Sequence, residues 1–205
     1  MNITERFKTT YHGSRRGHFI EWIVIHYTGT CADALHNAAA LERKLKRPRS
    51  THYFVDATKI LNVVPEGRSA WHIGSATDPD HLMRIGNADA IGIDLCEHKR
   101  NAPHLKAEDT DWFFDCETVE AAAELVACLL EKYKLPTTRL IRHYDVTHKA
   151  CPRPFVGDDT NEVYGATGNE LWAEFKRLVV SKLDGTKYDA KKLLQPALKK
   201  AELDR

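Results

Sequence analysis

The sequence predicts an α/β fold, a central mixed β-sheet flanked by α-helices, on three observations. Short β-branched apolar runs recur at residues 21–27, 51–55, 60–64 and 90–96. Two longer segments, 117–134 and 167–179, repeat apolar residues at helical spacing. The two kinds of segment are interspersed along the chain rather than segregated. At 205 residues, with 42% hydrophobic and 29% charged side chains, one core suffices without a disulfide scaffold.

In chain order, the first 20 residues are polar and read as a loop-like approach. Residues 21–27 carry apolar side chains without alternation, which suits a strand buried on both faces. Thr30 with Asp33 opens a helix that puts Leu35, Ala38, Leu41 and Leu45 on one face, and Pro48 closes it. Residues 51–55 and 60–64 form a hairpin around 56–59, and 90–96 is a further strand. Between them, 66–89 reads as a long loop of the kind that often carries function. Residues 117–134 form a helix with Val119, Ala122, Val126, Leu129, Leu130 and Tyr133 inward, and Pro136 follows it; Cys128, within this apolar pattern, is expected in the core. Residues 139–142 form a short strand leading into His143. Thr167 and Glu170 make a capping box for a last helix with Leu171, Trp172, Phe175, Leu178 and Val179 inward. Residues 1–185 are thus expected to form one domain. Residues 186–205 form a Lys-rich tail in which Leu193, Leu194, Ala197, Leu198 and Ala201 suggest a short helix interrupted at Pro196.

Thirty Lys and Arg against 29 Asp and Glu leave a net charge of +1, which offers no global attraction to nucleic acid or an anionic membrane. No stretch approaches the roughly 18 apolar residues of a membrane span. The five cysteines are odd in number and irregularly spaced, and read as reduced thiols.

Chemistry is expected at the ends of buried strands, where a rigid backbone aims polar groups into a cleft. His26 ends the first strand, His143 follows the strand at 139–142, and Cys151 lies eight residues further on. Two imidazoles and a thiolate can hold catalytic zinc and leave a fourth position for water. The alternative is a core histidine and an inert cysteine.

The segment His143-Tyr144-Asp145-Val146-Thr147-His148-Lys149-Ala150-Cys151-Pro152 closely resembles the C-terminal zinc signature of the type 2 N-acetylmuramoyl-L-alanine amidases, which include phage endolysins, autolysins and the peptidoglycan recognition proteins. Four further blocks, in the same order, are similar to that family: Ile23-Val24-Ile25-His26-Tyr27-Thr28, Ser50-Thr51-His52-Tyr53-Phe54-Val55-Asp56, Ala70-Trp71-His72-Ile73-Gly74, and Asn87 followed by Ile91-Gly92-Ile93.

The resemblance implies that His26, His143 and Cys151 ligate Zn2+, with Tyr53 and Lys149 as catalytic polar groups beside it. Lys149 would hold an oxyanion, and Tyr53 would orient water or donate to the same oxygen. Trp71 and His72 would line the groove for the muramyl sugar and stem peptide. At Asp94 the sequence departs from the phage and autolysin branch, which usually has Glu as the base. Either the site tolerates the shorter arm or another group moves the proton, and Asp94 otherwise partners a ligand histidine. His52, next to Tyr53, is expected to be structural.

The implied function is hydrolysis of the amide between N-acetylmuramic acid and L-alanine in peptidoglycan. Two alternatives are a non-catalytic peptidoglycan-binding module and a hydrolase that uses the Cys151 thiol as its nucleophile. The first seven residues lack the apolar block of a secretory signal. The expectation is therefore a chain made in the cytoplasm, acting on the wall after release as a lysin or in cytosolic wall recycling; a monomer is expected as well.

Overall fold

Strands β3 (Trp22–Tyr27) and β7 (Ala90–Leu95) lie at the centre of the sheet because their apolar side chains need cover on both faces. The computed structural model describes residues 2–101 and 104–189, so the helix expected near residues 193–201 lies outside the described residues. The remaining strands of this sheet are β1 (Ile3–Glu5), β4 (Tyr53–Val55), β5 (Ile60–Asn62) and β10 (Leu140–Arg142), in the order β1-β5-β4-β7-β3-β10, while β8 (His98–Lys99) and β9 (Trp112–Phe113) pair with each other outside it. Only the β4–β5 hairpin is antiparallel; the other four pairings are parallel. The sheet is therefore mixed, as expected.

The two faces differ in purpose. Ile23, Ile25, Tyr53, Val55, Ile91 and Ile93 point to one side, where α2 (Cys116–Tyr133) and α4 (Gly168–Asp184) complete the main core with Phe114 and Phe155. Val24, His26, Phe54 and Asp94 alternate to the other side. There α1 (Ala34–Ala40) and the 71–89 loop leave a cleft open at the C-terminal ends of β3 and β7. α3 (His143–Thr147) follows β10 directly and borders the same cleft.

Several local features depart from the sequence expectations. Within the first 20 residues, β1 pairs with β5 at the sheet edge, and β2 (His12–Ser14) pairs with β6 (Arg68–Ala70) inside the expected long loop. These three-residue strands are too short for a periodic signal and are made by non-local pairing. α1 is capped by Asp33, whose carboxylate accepts from the His36 N–H at 2.8 Å, while Thr30 bonds Asn37. It ends at Ala40, and Leu35 is exposed. Cys128, expected in the core, is also exposed: Leu125, Val126, Leu129 and Leu130 make the buried stripe of α2.

The capping box of α4 is as expected: Thr167 accepts from the Glu170 N–H at 3.2 Å, and Glu170 accepts from the Thr167 N–H at 2.8 Å. Gly168 then lies so close to the 156 backbone that a Cβ would fall 2.3 Å from the Val156 carbonyl oxygen. Gly168→Ala should therefore cost about 1–3 kcal/mol through overpacking, and Thr167→Ala about 1 kcal/mol through loss of the cap. Thermal unfolding checks both; an unchanged midpoint for Gly168→Ala would show that the 156–168 contact is loose in solution.

Candidate metal centre and cleft

The centre is assembled by strand register. β3 and β7 pair His26 with Asp94, and β10 pairs Arg142 with Ile25, which sets His143 beside His26. Arg142 locks the turn into α3 by donating to Asp145 Oδ1 at 2.7 Å and to the Phe155 carbonyl at 2.6 Å. The loop after α3 brings Cys151 back, and the Tyr144 N–H donates to the Cys151 carbonyl at 2.9 Å. Beyond β3, Glu97 accepts from the backbone N–H groups of Thr28 and Thr30 and so holds that loop.

The result is a buried group, His26, His143 and Cys151, whose potential ligand atoms all lie within 4.8 Å of one another. His26 Nδ1 is 3.7 Å from Cys151 Sγ, and the His26 and His143 rings meet edge-on at 4.8 Å. His143 Nδ1 is buried without a hydrogen-bond partner among the described residues, the condition of an atom kept for a ligand. Two nitrogens and one sulfur form a donor set that fits a metal such as zinc.

Electrostatics point the same way. Burial, and then the neighbouring His143 and His72, hold His26 well below the ordinary histidine range, and burial with Lys149 nearby pushes His143 down to about 3. Both rings are thus neutral at pH 7, with lone pairs available. Burial pushes the Cys151 thiol up to about 12, against the pull of Lys149, so a metal would have to displace its proton.

The group forms the floor of a cleft of about 280 Å³. Lys149 is exposed on its lip, and Trp71 stands on the wall, 36% exposed and 6.0 Å from the Tyr11 ring. Asp94 is the single carboxylate among the residues lining it. Burial raises the Asp94 carboxyl to about 7, opposed by a hydrogen bond from Thr51 and by the charges of Lys149 and Arg49. His72 lines the cleft too, but its Nδ1 is 2.9 Å from His26 Nε2. The structure thus brings together His26, His143, Cys151, Asp94, Lys149, Trp71 and His72.

Tyr53 is not among them. Its register partner is Ile93, so it points to the opposite face, where its hydroxyl bonds Glu66, which also binds Tyr133 and Lys132. Strand alternation puts Phe54, not Tyr53, on the side of Asp94. The carry-over of a catalytic role to Tyr53 is corrected on that ground. His52 is structural, as expected: Nδ1 accepts from the Gly92 N–H at 3.0 Å, and Nε2 lies 3.1 Å from the Arg68 carbonyl. Thr51 and Arg49, both lining the cleft, carried no separate signal in the sequence.

Burial depresses four histidines here: His26, His72, His52 to about 3, and His143 to about 3. A depressed histidine stabilises the fold above its ordinary value near 6.5, and this contribution is lost as pH falls below it. For His52 and His143 the loss is about 1.4 kcal/mol per pH unit between about pH 6.5 and 3. Asp94, raised to about 7, acts in the opposite sense between about pH 7 and pH 4. Burial also raises Glu97, which acts with Asp94; with four histidines against two carboxylates, the metal-free protein should lose thermal stability from pH 6.5 downwards. Melting curves across pH test this; a flat midpoint between pH 6.5 and 4.5 would contradict the buried neutral cluster.

In comparisons with solved proteins, the fold matches the catalytic domain of XlyA (TM-score 0.62, 24% identity, 87% of this chain and 99% of that chain). It also matches the catalytic domain of PlyG (TM-score 0.63, 19% identity, 93% and 100%). In sequence, the chain is 36% identical over 154 residues to the N-acetylmuramoyl-L-alanine amidase CwlL of Bacillus licheniformis, covering 69% of this chain. It is 26% identical over 173 residues to the N-acetylmuramoyl-L-alanine amidase BlyA of Bacillus subtilis, covering 79%. It spans 38% and 41% of the lengths of these two relatives. The model of the Amidase_2 family, N-acetylmuramoyl-L-alanine amidase, matches residues 16–154, which hold both histidines and the cysteine of the buried group, and the chain belongs to that family.

Proposed function

We propose that the chain hydrolyses the amide between the lactyl group of N-acetylmuramic acid and L-alanine in peptidoglycan, with zinc held by His26, His143 and Cys151, and that residues 1–185 are the amidase domain. The observation that carries this reading is the buried His-His-Cys group on the floor of a cleft that also presents one carboxylate and one lysine. Bound zinc supplies a Lewis acid and an activated water. The cleft walls, Trp71 among them, orient the muramyl peptide. Asp94, raised to about 7 by burial, can accept a proton from the attacking water and pass it to the leaving amine. Lys149, on the lip, supplies positive charge where the carbonyl oxygen becomes anionic.

A thiol nucleophile suits the site poorly. Cys151 is pushed up to about 12 and is buried, and His143, its would-be base, is pushed down to about 3. A non-catalytic binding module would have no need for the third ligand that Cys151 provides.

Digestion of purified peptidoglycan by zinc-loaded protein should release new alanine amino termini without new reducing sugars. Reducing sugars in their place would overturn the amidase reading, and so would activity that survives complete removal of metal. Asp94→Asn should lower kcat about 10²–10⁴-fold with little change in KM if Asp94 moves the proton. Turnover within a few-fold of the parent would remove it from that role.

A further inference from the structure

We infer that His72 is a positioning residue for His26, which it holds in the orientation and tautomer that a metal requires, rather than a substrate contact. This inference rests on the metal reading above. His26 presents Nδ1 towards Cys151 Sγ, at 3.7 Å, and Nε2 towards His72 Nδ1, at 2.9 Å. A ring nitrogen that gives its lone pair to a metal leaves the other nitrogen carrying the proton. His26 Nε2–H therefore donates and His72 Nδ1 accepts. The two rings stand edge-on, 85° apart with centroids at 5.0 Å, and His26 is only 4% exposed, so water competes little for the bond.

The surroundings of His72 are built to hold it there. The Asn87 side-chain oxygen accepts three successive backbone N–H groups, from His72 at 2.9 Å, Ile73 at 2.8 Å and Gly74 at 3.1 Å. The Asn87 N–H donates to the Gly74 carbonyl at 2.9 Å and closes the loop. On the sheet, Gly92 leaves room for the ring: a Cβ there would fall 2.7 Å from His72 Cγ and Nδ1. Behind it, the His52 ring stands edge-on at 5.8 Å and fixes Gly92 through its N–H. His72, Asn87 and Gly92 thus act together as one buttress, whose output is the direction of the His26 ring.

The test is zinc affinity of the full chain, measured by competition with a chromophoric chelator on variants whose folding is verified by near-ultraviolet circular dichroism. His72→Phe removes the acceptor and Gly92→Ala displaces it; each should weaken zinc binding about 10–100-fold. His72→Asn, whose side-chain oxygen can occupy the place of Nδ1, should stay within a few-fold of the parent. Gly92→Ala combined with His72→Phe should be no worse than His72→Phe alone, because both act through the same bond. KM for a soluble muramyl peptide should stay unchanged. Parent-like zinc affinity in Gly92→Ala and His72→Phe, with a raised KM, would overturn the inference and return His72 to the substrate. If His72→Phe does not fold, Gly92→Ala is read in the same way. A parent chain that takes up no zinc overturns the metal reading itself, a result distinct from variants that bind as tightly as the parent.

Discussion

The parallel pairing of β3 with β7 and β10 sets His26 opposite Asp94 and delivers His143 immediately after the Arg142–Ile25 pair. Because side chains alternate along a strand, a slip of one residue in either pairing would turn these groups towards α2 and α4. The register is held by the apolar residues between them: Ile23, Ile25, Ile91 and Ile93 are fully buried on the helix side. The core and the cleft are therefore two faces of one constraint, and the cleft residues are positioned by packing that they do not share.

Placing that cleft over a tight group of histidines has an electrostatic cost. Four rings are kept neutral by burial, by one another and by the positive charges of Lys149 and Arg15. Neutral imidazoles with ordered hydrogen bonds suit metal ligation. The same burial makes the Cys151 thiol a poor free nucleophile, so one environment favours one chemistry over the other.

Contacts away from the cleft floor anchor the site indirectly. Arg15 donates to the Glu66 carbonyl at 2.7 Å and to the Ala88 carbonyl at 2.7 Å, and its guanidinium lies 3.0 Å from His52 Nε2. The Glu66 side chain meanwhile binds Tyr53, Tyr133 and Lys132. Tyr53 thus ties the hairpin to α2, and its polar end is satisfied in the core. No helix among the described residues is long and apolar enough to cross a membrane.

The sequence by itself determined the elements with strong local signals. These are the buried strands around His26 and Asp94, the β4–β5 hairpin, the apolar stripe of α2, and the Thr167–Glu170 cap of α4. It also singled out His26, His143 and Cys151, because two of them abut apolar runs and the third stands in a recognisable motif. Tertiary structure alone decided what depends on pairing between distant segments. Three-residue strands such as β1 and β2 carry no periodicity, so only their partners define them. Tyr53 and His72 each sit in a motif block, yet a block gives no side-chain direction. Sheet register turned Tyr53 away from the cleft, and the space left by Gly92 let His72 reach His26. Sequence spacing fixes which residues are neighbours along a strand, whereas the face they share and the atoms they touch are set by packing.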